Sequence, residues 1–166
     1  MSVLSGIKES VQQVAEAISI AVGLEVEIVD NKLRILGGTG YYHRRIGKKE
    51  EDGNLEGNYL YARVLRTGKT QYVEDAQNCK DYDRPIVGNT RLGELAEICT
   101  PIVLKGEIIG IIGLVAFTDE QKHLLLDKRE SMTVFVEKMA DLLSAKADQQ
   151  ETLENVEVSR DEMSIV

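Results

Sequence analysis

Tryptophan is absent from this chain of 166 residues, and only two cysteines and two prolines occur. Cys79 and Cys99 lie far apart without a Cys-x-x-Cys pair, a spacing that indicates neither a disulfide framework nor a zinc site. We therefore expect two free thiols in a reducing compartment and no bound metal.

A long hydrophobic run and an excess of positive charge are missing as well. The most apolar stretch, residues 108–117, is too short to span a bilayer and is interrupted by glycine. The N-terminus does not place an apolar block after a basic region, as a secretory signal would. A net charge of −8 argues against contact with nucleic acid phosphates. These absences predict a cytoplasmic protein that contacts neither membrane nor nucleic acid.

The negative charge is concentrated at the C-terminus. From residue 148 onward six acidic residues face one basic residue, so this segment holds −5 of the net −8. The acidic residues are Asp148, Glu151, Glu154, Glu157, Asp161 and Glu162. We expect residues 147–166 to form an acidic helical linker, and residues 1–146 to form the folded domain.

Hydrophobic periodicity predicts a mixed α+β fold. Apolar residues spaced three and four apart over residues 5–22 predict a helix that Gly23 ends. The further predicted elements are strands 24–29 and 33–36 around the turn Asp30-Asn31, a helix at 59–66, a strand at 70–73, a hairpin within 97–118 and a helix from 119 onward. This order predicts an α/β sandwich with a central antiparallel sheet, flanking N- and C-terminal helices and a long C-terminal helical extension.

The hairpin at 97–118 is the most informative segment. Two apolar runs meet at Lys105-Gly106-Glu107, and the polar step Thr118-Asp-Glu-Gln121 leads into the final helix. Gly110 and Gly113 interrupt the second run, where a residue without a side chain indicates a bulge or a group packed close against the backbone.

Two long connections, residues 41–57 and 74–93, lack periodicity, and all six tyrosines lie between positions 41 and 82. Loops of this length in a compact domain often close over a ligand. Tyrosine supplies a ring and a hydroxyl, and arginine supplies a planar fork for carboxylate or phosphate. The candidate ligand contacts are Tyr41, Tyr42, His43, Arg44, Arg45, Tyr59, Tyr82, Arg84, Cys79 and Cys99. The same residue types also mark protein interfaces, so an interaction surface remains the alternative.

Catalysis finds little support in the sequence. Nucleophilic chemistry needs a base beside a Ser, Cys or Lys, and the chain has only two histidines, His43 and His123. Cys99 lies in a predicted strand, where cysteine usually acts as a small hydrophobe. Cys79 lies beside Lys80, and a cationic neighbour favours a thiolate, so a redox role remains a minor hypothesis. We expect a protein that is not an enzyme.

The terminal helix carries a possible dimerisation seam. Ten positions fall alternately three and four apart, and seven of them are apolar: Met132, Phe135, Met139, Leu142, Leu153, Val156 and Met163. Such a seam predicts a helix that packs on its own domain first and pairs with a second chain later, giving a homodimer. Polar Lys146 and Gln149 interrupt it, so the alternative is a helix that frays after Ala147.

Several short motifs together resemble the GAF domain of sigma-54-dependent bacterial transcriptional activators. They are Ile35-Leu-Gly-Gly-Thr-Gly-Tyr-Tyr42, Arg45-Ile-Gly47, Val64-Leu65 with Thr67-Gly-Lys69, Ile98-Cys-Thr-Pro-Ile102, Ile109-Gly-Ile-Ile-Gly-Leu-Val-Ala-Phe-Thr118 and Lys138-Met-Ala-Asp-Leu142. The chain shows no Walker motif and no DNA-reading helix.

The resemblance implies a sensory domain. It would bind a small-molecule effector, which the sequence does not identify, in a hollow beneath the tyrosine-bearing connections. It would then signal through paired terminal helices to a downstream transcription-activator output. The alternatives are a ligand-free dimerisation module and a thiol-based sensor or reductase of the GAF kind.

Overall fold

The computed structural model describes the backbone of residues 2–84, 86–87 and 90–164, without the side chains of residues 86, 87, 90, 91 and 164. Residues 85, 88 and 89 of the second predicted connection, and the last two residues of the predicted linker, lie outside the described residues. In the described part of the chain, no helix combines the length and the apolar character needed to cross a membrane.

The fold is an antiparallel sheet of five strands with helices packed on it. The strands are β1 (Glu25–Asp30), β2 (Ile35–Gly38), β3 (Gln71–Val73), β4 (Ile86–Val87), β5 (Thr90–Arg91), β6 (Ala96–Leu104) and β7 (Glu107–Ala116). The strands of the main sheet run in the order β2-β1-β7-β6-β3, and β4 and β5 form a separate small hairpin. The helices are α1 (Lys8–Val22), α2 (Leu60–Thr67), α3 (Asp119–Asp127) and α4 (Arg129–Ser164). The predicted α+β architecture is confirmed.

The β6–β7 hairpin forms the centre of the sheet. Its turn is the two-residue pair Lys105 and Gly106, whose φ angles of 51° and 82° are both positive, as a type I′ turn requires. A side chain at Gly110 would overlap the Leu4 side chain and the Val29 carbonyl oxygen. The interrupting glycine therefore marks a close packing contact, as the sequence predicted.

Side chains alternate between the two faces of the sheet and build two separate cores. On one face, Val26, Ile28 and Ile98 pack against α1 and α4. On the other face, Val29 and Cys99 pack against α2 and the connections around it. Glu27 and Glu97 alternate with the first-face residues along β1 and β6, so both lie on the second face. Both are buried there, although glutamate is rarely buried in proteins.

The predicted C-terminal helix is in fact two helices. Thr118 and Gln121 form a capping box that begins α3, and α3 ends at Asp127, so the prediction of a helix with little interruption is wrong at Lys128. Residues spaced three and four apart bury α4 against the domain: Met132, Val136, Ala140, Leu143 and Ala147.

The predicted seam of α4 divides between two environments. Met132 belongs to the core, and Phe135 and Met139 pack partly against it. Four of its members are exposed on the helix surface: Leu142, Leu153, Val156 and Met163. The helix continues past Ala147, so fraying at that point does not occur.

Two parts of the first connection, predicted to be irregular, are short 3-10 helices, Gly40–Arg45 and Glu50–Gly53. Backbone hydrogen bonds tie this connection to β2, since Ile35 donates to the Lys48 carbonyl and Glu50 donates to the Leu33 carbonyl, each at 2.8 Å. The connection therefore forms a wall over the second face of the sheet and is hydrogen-bonded to the edge of that sheet.

Candidate functional site

A cluster of buried glutamates lies between the sheet and the connections. Glu27 comes from β1 and Glu97 from β6, at strand positions that point away from α1 and α4. Glu50 and Glu51 come from the 3-10 helix at 50–53, and Glu94 precedes β6. All five are buried, with exposed fractions between 1% and 7%. Because an isolated buried charge is costly, so many carboxyl groups together need partners or protons.

Three tyrosine hydroxyls bind two of these carboxyl groups. The Tyr42 hydroxyl donates to Glu94 Oε2, and the Tyr61 hydroxyl donates to Glu97 Oε2 at 2.7 Å. The Tyr82 hydroxyl lies 3.0 Å from Glu94 Oε2 and 2.6 Å from Glu97 Oε1. A hydroxyl carries one proton, so Tyr82 donates a full hydrogen bond to only one of these carboxyl groups, and the bond to the other is complete only where that carboxyl group holds a proton. The arrangement therefore favours a protonated carboxyl group at Glu94 or Glu97.

The pKa values of the carboxyl groups agree with a protonated carboxyl group. Burial raises the pKa of Glu94 to about 7, although the hydrogen bonds from Tyr42 and Tyr82 act in the opposite direction. Burial, reinforced by the neighbouring Glu94, also raises the pKa of Glu97. The pKa of Glu27 is raised by burial first and by the Glu50 carboxyl group second. The cluster therefore holds protons near neutral pH.

Glu51 connects the cluster to α2. Its two carboxyl oxygens accept the backbone N–H groups of Tyr61 and Ala62 at 2.8 and 3.0 Å, in the first turn of the helix. Burial nevertheless raises the pKa of Glu51 to about 7. Glu51 and Asp52 have φ angles of 52° and 55°, a left-handed conformation that is unusual for residues other than glycine.

A buried ion pair supports the cluster from one side. Arg45 Nε and Nη2 lie 3.2 and 3.1 Å from Glu50 Oε1, with both side chains largely shielded from water. This pair positions the 3-10 helix at 50–53.

The glutamates surround a small cavity on the second face of the sheet. Its volume is about 10 Å³, which is room for about one water molecule. The lining residues are Glu27, Glu50, Glu51, Leu60, Tyr61, Tyr82, Asp83, Glu94 and Glu97. The space beneath the tyrosine-bearing connections is thus narrow and acidic, and the side chains that line it fill nearly all of it. Among the described residues, no group of His, Cys, Asp or Glu has the arrangement to hold a metal ion.

The structure brings together only part of the predicted set of ligand contacts. Tyr42 and Tyr82 bond directly to the buried glutamates, and Arg45 braces them. Four other members are exposed and away from the cluster: Tyr41, His43, Arg44 and Tyr59. Tyr41 packs its ring near Phe117 instead, with ring centroids 5.7 Å apart. Arg84, the remaining arginine among the predicted ligand contacts, is half-buried.

The two cysteines are free thiols, and neither lines the cavity. Cys99 is fully buried in the core beside α2, where burial, reinforced by Glu97, raises the pKa of its thiol. Cys79 is half-buried against the same core. A buried thiol with a raised pKa is a poor nucleophile.

Sequence reasoning missed the glutamates and Tyr61. The signal was a charged residue between two apolar ones in a strand: Glu27 between Val26 and Ile28, and Glu97 between Ala96 and Ile98. Such alternation ordinarily indicates a face in contact with water. Here that face is covered by α2 and the connections, so the alternation marked the cavity.

The sequence profile of the GAF domain family matches residues 5–142 of this chain. The chain belongs to the GAF domain family. A curated relative is the putative uric acid sigma-54-dependent transcriptional regulator UacR of Escherichia coli strain K12, 28% identical over 145 residues. The match covers 87% of this chain and 24% of the relative, so the GAF chain spans about a quarter of that protein's length.

Solved GAF-like structures share the fold at low sequence identity. The GAF domain of a phosphoenolpyruvate-protein phosphotransferase from Coxiella burnetii superimposes with a TM-score of 0.65 at 14% identity, covering 89% of this chain and 86% of that one. A free methionine-R-sulfoxide reductase from Neisseria meningitidis gives 0.60 at 15% identity, covering 88% and 80%. The GAF fold therefore occurs in both a phosphotransferase component and a reductase.

Proposed function

We propose that this GAF domain is a non-enzymatic sensor that binds a small molecule between the sheet and the two long connections. It would pass the signal through its terminal helices to a transcription-activator output. The observation that carries the proposal is the buried glutamate cavity, in which Glu94 Oε1 has no hydrogen-bond partner among the residues that the structure describes. Natural cores rarely leave such groups unsatisfied unless they serve a function.

The similarity to the Escherichia coli regulator supports the part of the proposal that concerns a transcription-activator output. That relative is about four times longer than the matched segment, since the match covers 24% of it. We propose the same arrangement here, with residues 1–146 as the sensory domain and residues 147–166 as a helical linker toward a downstream domain.

The strands offer a direct path from the cavity to the terminal helices. Glu27 faces the cavity, whereas its neighbours Val26 and Ile28 pack in the core with α1 and α4. Glu97 on β6 has the same relation to Ile98. A ligand that displaces the glutamates would move these strands by small amounts and shift the helices on the opposite face. The ligand must prefer one arrangement of the helices, because equal affinity for both shifts nothing.

Ligand entry requires the cavity to widen. Room for about one water molecule is too little for a metabolite, so a ligand must push the outer wall outward. That wall includes Glu50 and Glu51, and the Glu51 carboxyl group holds the first turn of α2. Opening of the cavity would therefore move α2 as well as the strands of the sheet.

The proposal is tested by thermal unfolding of the domain with a panel of metabolites that includes uric acid, which the relative's name suggests. A bound ligand at about one hundred times its Kd stabilises the fold by about 2.7 kcal/mol and raises the Tm. Tyr42→Phe removes the hydroxyl that binds Glu94 with little change in volume and should reduce the response. Tyr41→Phe, at an exposed tyrosine beside it in sequence, is the matched control. A folded domain whose Tm no compound raises would argue against a sensor.

A ligand-free dimerisation module is the second candidate function. The exposed apolar residues of α4 favour it, since Leu142, Leu153 and Met163 have exposed fractions of 52%, 54% and 77%. Sedimentation combined with the metabolite panel distinguishes the two, because both candidates would dimerise but only the sensor would show a Tm that rises with a ligand.

A thiol-based sensor or reductase is disfavoured by the burial of Cys99 and the raised pKa of its thiol. A Cys79→Ser, Cys99→Ser double variant should keep the ligand response. Loss of that response in a variant that still folds would favour the thiol role.

A further inference from the structure

The edge of the sheet at β2 is strongly basic. Residues 31–49 contain six lysines and arginines and neither aspartate nor glutamate, in a chain whose net charge is −8. One of the six, Arg45, is buried and paired with Glu50. The other five are exposed and form what we call the basic surface: Lys32, Arg34, Arg44, Lys48 and Lys49. Among the residues that the structure describes, none of these five forms an ion pair. The basic surface therefore offers several cations to a partner.

Backbone pairing places two of these cations side by side. Arg34 and Lys49 are partners in an antiparallel bridge, so their side chains stand on the same face of the sheet edge. The hydrogen bond from Ile35 N–H to the Lys48 carbonyl, at 2.8 Å, holds the two segments together. Like charges directly opposite each other destabilise a strand pair, so the isolated domain gains nothing from this placement. An anionic partner would offset both charges.

The complementary charge lies at the C-terminal end of α4. Residues 152–163, which we call the acidic end of α4, carry four acidic residues against the single basic residue Arg160. All twelve side chains are exposed. Glu154, Glu157 and Asp161 follow one another at spacings of three and four, so they lie along one face of the helix. The acidic end of α4 therefore presents a row of carboxylates of the kind that the basic surface would bind.

Apolar side chains accompany the charges on both surfaces. Tyr41 and Ile46, with exposed fractions of 50% and 40%, lie within the basic segment of the chain. Leu153 and Val156, with exposed fractions of 54% and 45%, lie on the acidic end of α4. Protein interfaces combine apolar contacts with a charged rim, so the two surfaces match in apolar character as well as in charge.

The two surfaces lie at the same end of the sheet. Asp30, the last residue of β1, pairs with Gly110 near the start of β7, which places residues 31–34 beside the β6–β7 turn. The helix α4 passes this turn, since Lys105 Nζ lies 3.3 Å from Asp148 Oδ1. From β6 to β2 is three strand spacings, or about 14 Å. Because α4 is continuous to Ser164, its acidic end cannot fold back onto its own domain without a break in the helix.

We propose that the basic surface of one chain binds the acidic end of α4 of a second copy, and that the contact is reciprocal in a twofold dimer. This inference goes beyond the proposed sensory function and does not depend on a ligand. The contact would fix how the two α4 helices lie relative to each other, because charges at the rim of an interface set orientation and specificity more than affinity. Salt would weaken it, since exposed charges are screened.

Sedimentation equilibrium of the whole chain with exchanged charges tests the inference. The surface variant is Lys48→Glu with Lys49→Glu, and the helix variant is Glu154→Lys with Glu157→Lys; all four parent side chains are exposed. Each variant alone should dimerise at least about tenfold more weakly than the parent at low salt, because like charges then meet. A 1:1 mixture should recover the dimer, since each acidic group then meets a basic one in both contacts. Raising NaCl from about 0.05 to about 0.5 M should weaken the parent dimer.

Two further variants make the comparison specific. Lys69→Glu with Lys80→Glu changes the charge by the same amount at exposed positions on either side of β3, the opposite edge of the sheet, and should dimerise like the parent. Lys32→Glu with Arg44→Glu serves as the surface variant if circular dichroism shows that the first surface variant does not fold. Arg34 is left unchanged because its guanidinium donates to the Gly47 carbonyl.

Each other outcome contradicts the inference. A parent chain that is monomeric, or a folded surface variant that dimerises like the Lys69 and Lys80 control, would show that the basic surface does not bind a second copy. A mixture that stays as weak as its components would show that the exchanged charges do not meet. If the surface variant is weakened and the helix variant is not, the basic surface has a different partner.

Discussion

Replacing Glu94 by glutamine should stabilise the domain at alkaline pH and not at acid pH. In the folded protein the pKa of Glu94 is about 7, against an ordinary value of 4.5. The folded state therefore holds a proton that the unfolded chain releases between pH 4.5 and 7, so the free energy of unfolding falls as pH rises through this window. A shift of this size corresponds to about 3 kcal/mol once the pH exceeds 7.

Glutamine resembles the protonated carboxyl group in shape and keeps an oxygen to accept from Tyr42 and Tyr82. At pH 5, where Glu94 is already protonated, the variant should match the parent protein. At pH 8 it should be more stable by up to about 3 kcal/mol, which for a domain of this size raises the Tm by roughly 6–12 °C.

The assay is thermal unfolding followed by circular dichroism at half-unit steps from pH 5 to 8, on the parent, Glu94→Gln and the exposed control Glu107→Gln. We expect the gap between Glu94→Gln and the parent to open as pH rises, and the control to follow the parent throughout. Parallel Tm profiles for all three proteins would show that Glu94 is not held protonated in the folded domain and would refute its raised pKa.

Three further predictions concern packing, capping and assembly. Gly113→Ala should lower the free energy of unfolding in urea by about 1–3 kcal/mol, because its Cβ would overlap the Glu97 carboxyl group, whereas Gly6→Ala, which meets open space, should change it little. Thr118→Ala removes the capping box of α3 and should cost about 1 kcal/mol by the same measurement; no loss would show that the cap is dispensable. Leu142→Asp, on the exposed face of α4, should shift sedimentation toward the monomer without lowering the Tm, and an unchanged oligomeric state would remove this residue from any dimer interface.

The sequence predicted the sheet and its flanking helices well because their signals are local. Both strands of the β6–β7 hairpin are rich in apolar residues and meet at a turn that contains glycine, and Gly23 ends α1 with a φ of 75°. The break at Lys128 was missed because neither proline nor glycine marks it. The seam of α4 was over-extended, since positions that contact the domain and positions that face solvent share the same three-and-four spacing.

The candidate site was only half predictable. Tyrosine and arginine in irregular connections pointed to Tyr42, Arg45 and Tyr82, but sequence position alone does not tell which loop side chains turn inward. The glutamates of the strands were missed for a different reason. An acidic residue between two apolar ones in a strand has the same pattern whether water or a second layer covers it. The decisive information, that α2 and the connections cover Glu27 and Glu97, lies in tertiary packing.

The final turns of α4 form a rigid arm. Every residue from Thr152 to Met163 is exposed, so this part of the helix extends about 18 Å with little of its surface resting on the domain. A tilt of about 10° where the helix leaves the domain would displace the far end of the arm by about 3 Å. A change too small to disturb packing around Ala147 is thereby amplified into a movement as large as the separation between two hydrogen-bonded atoms.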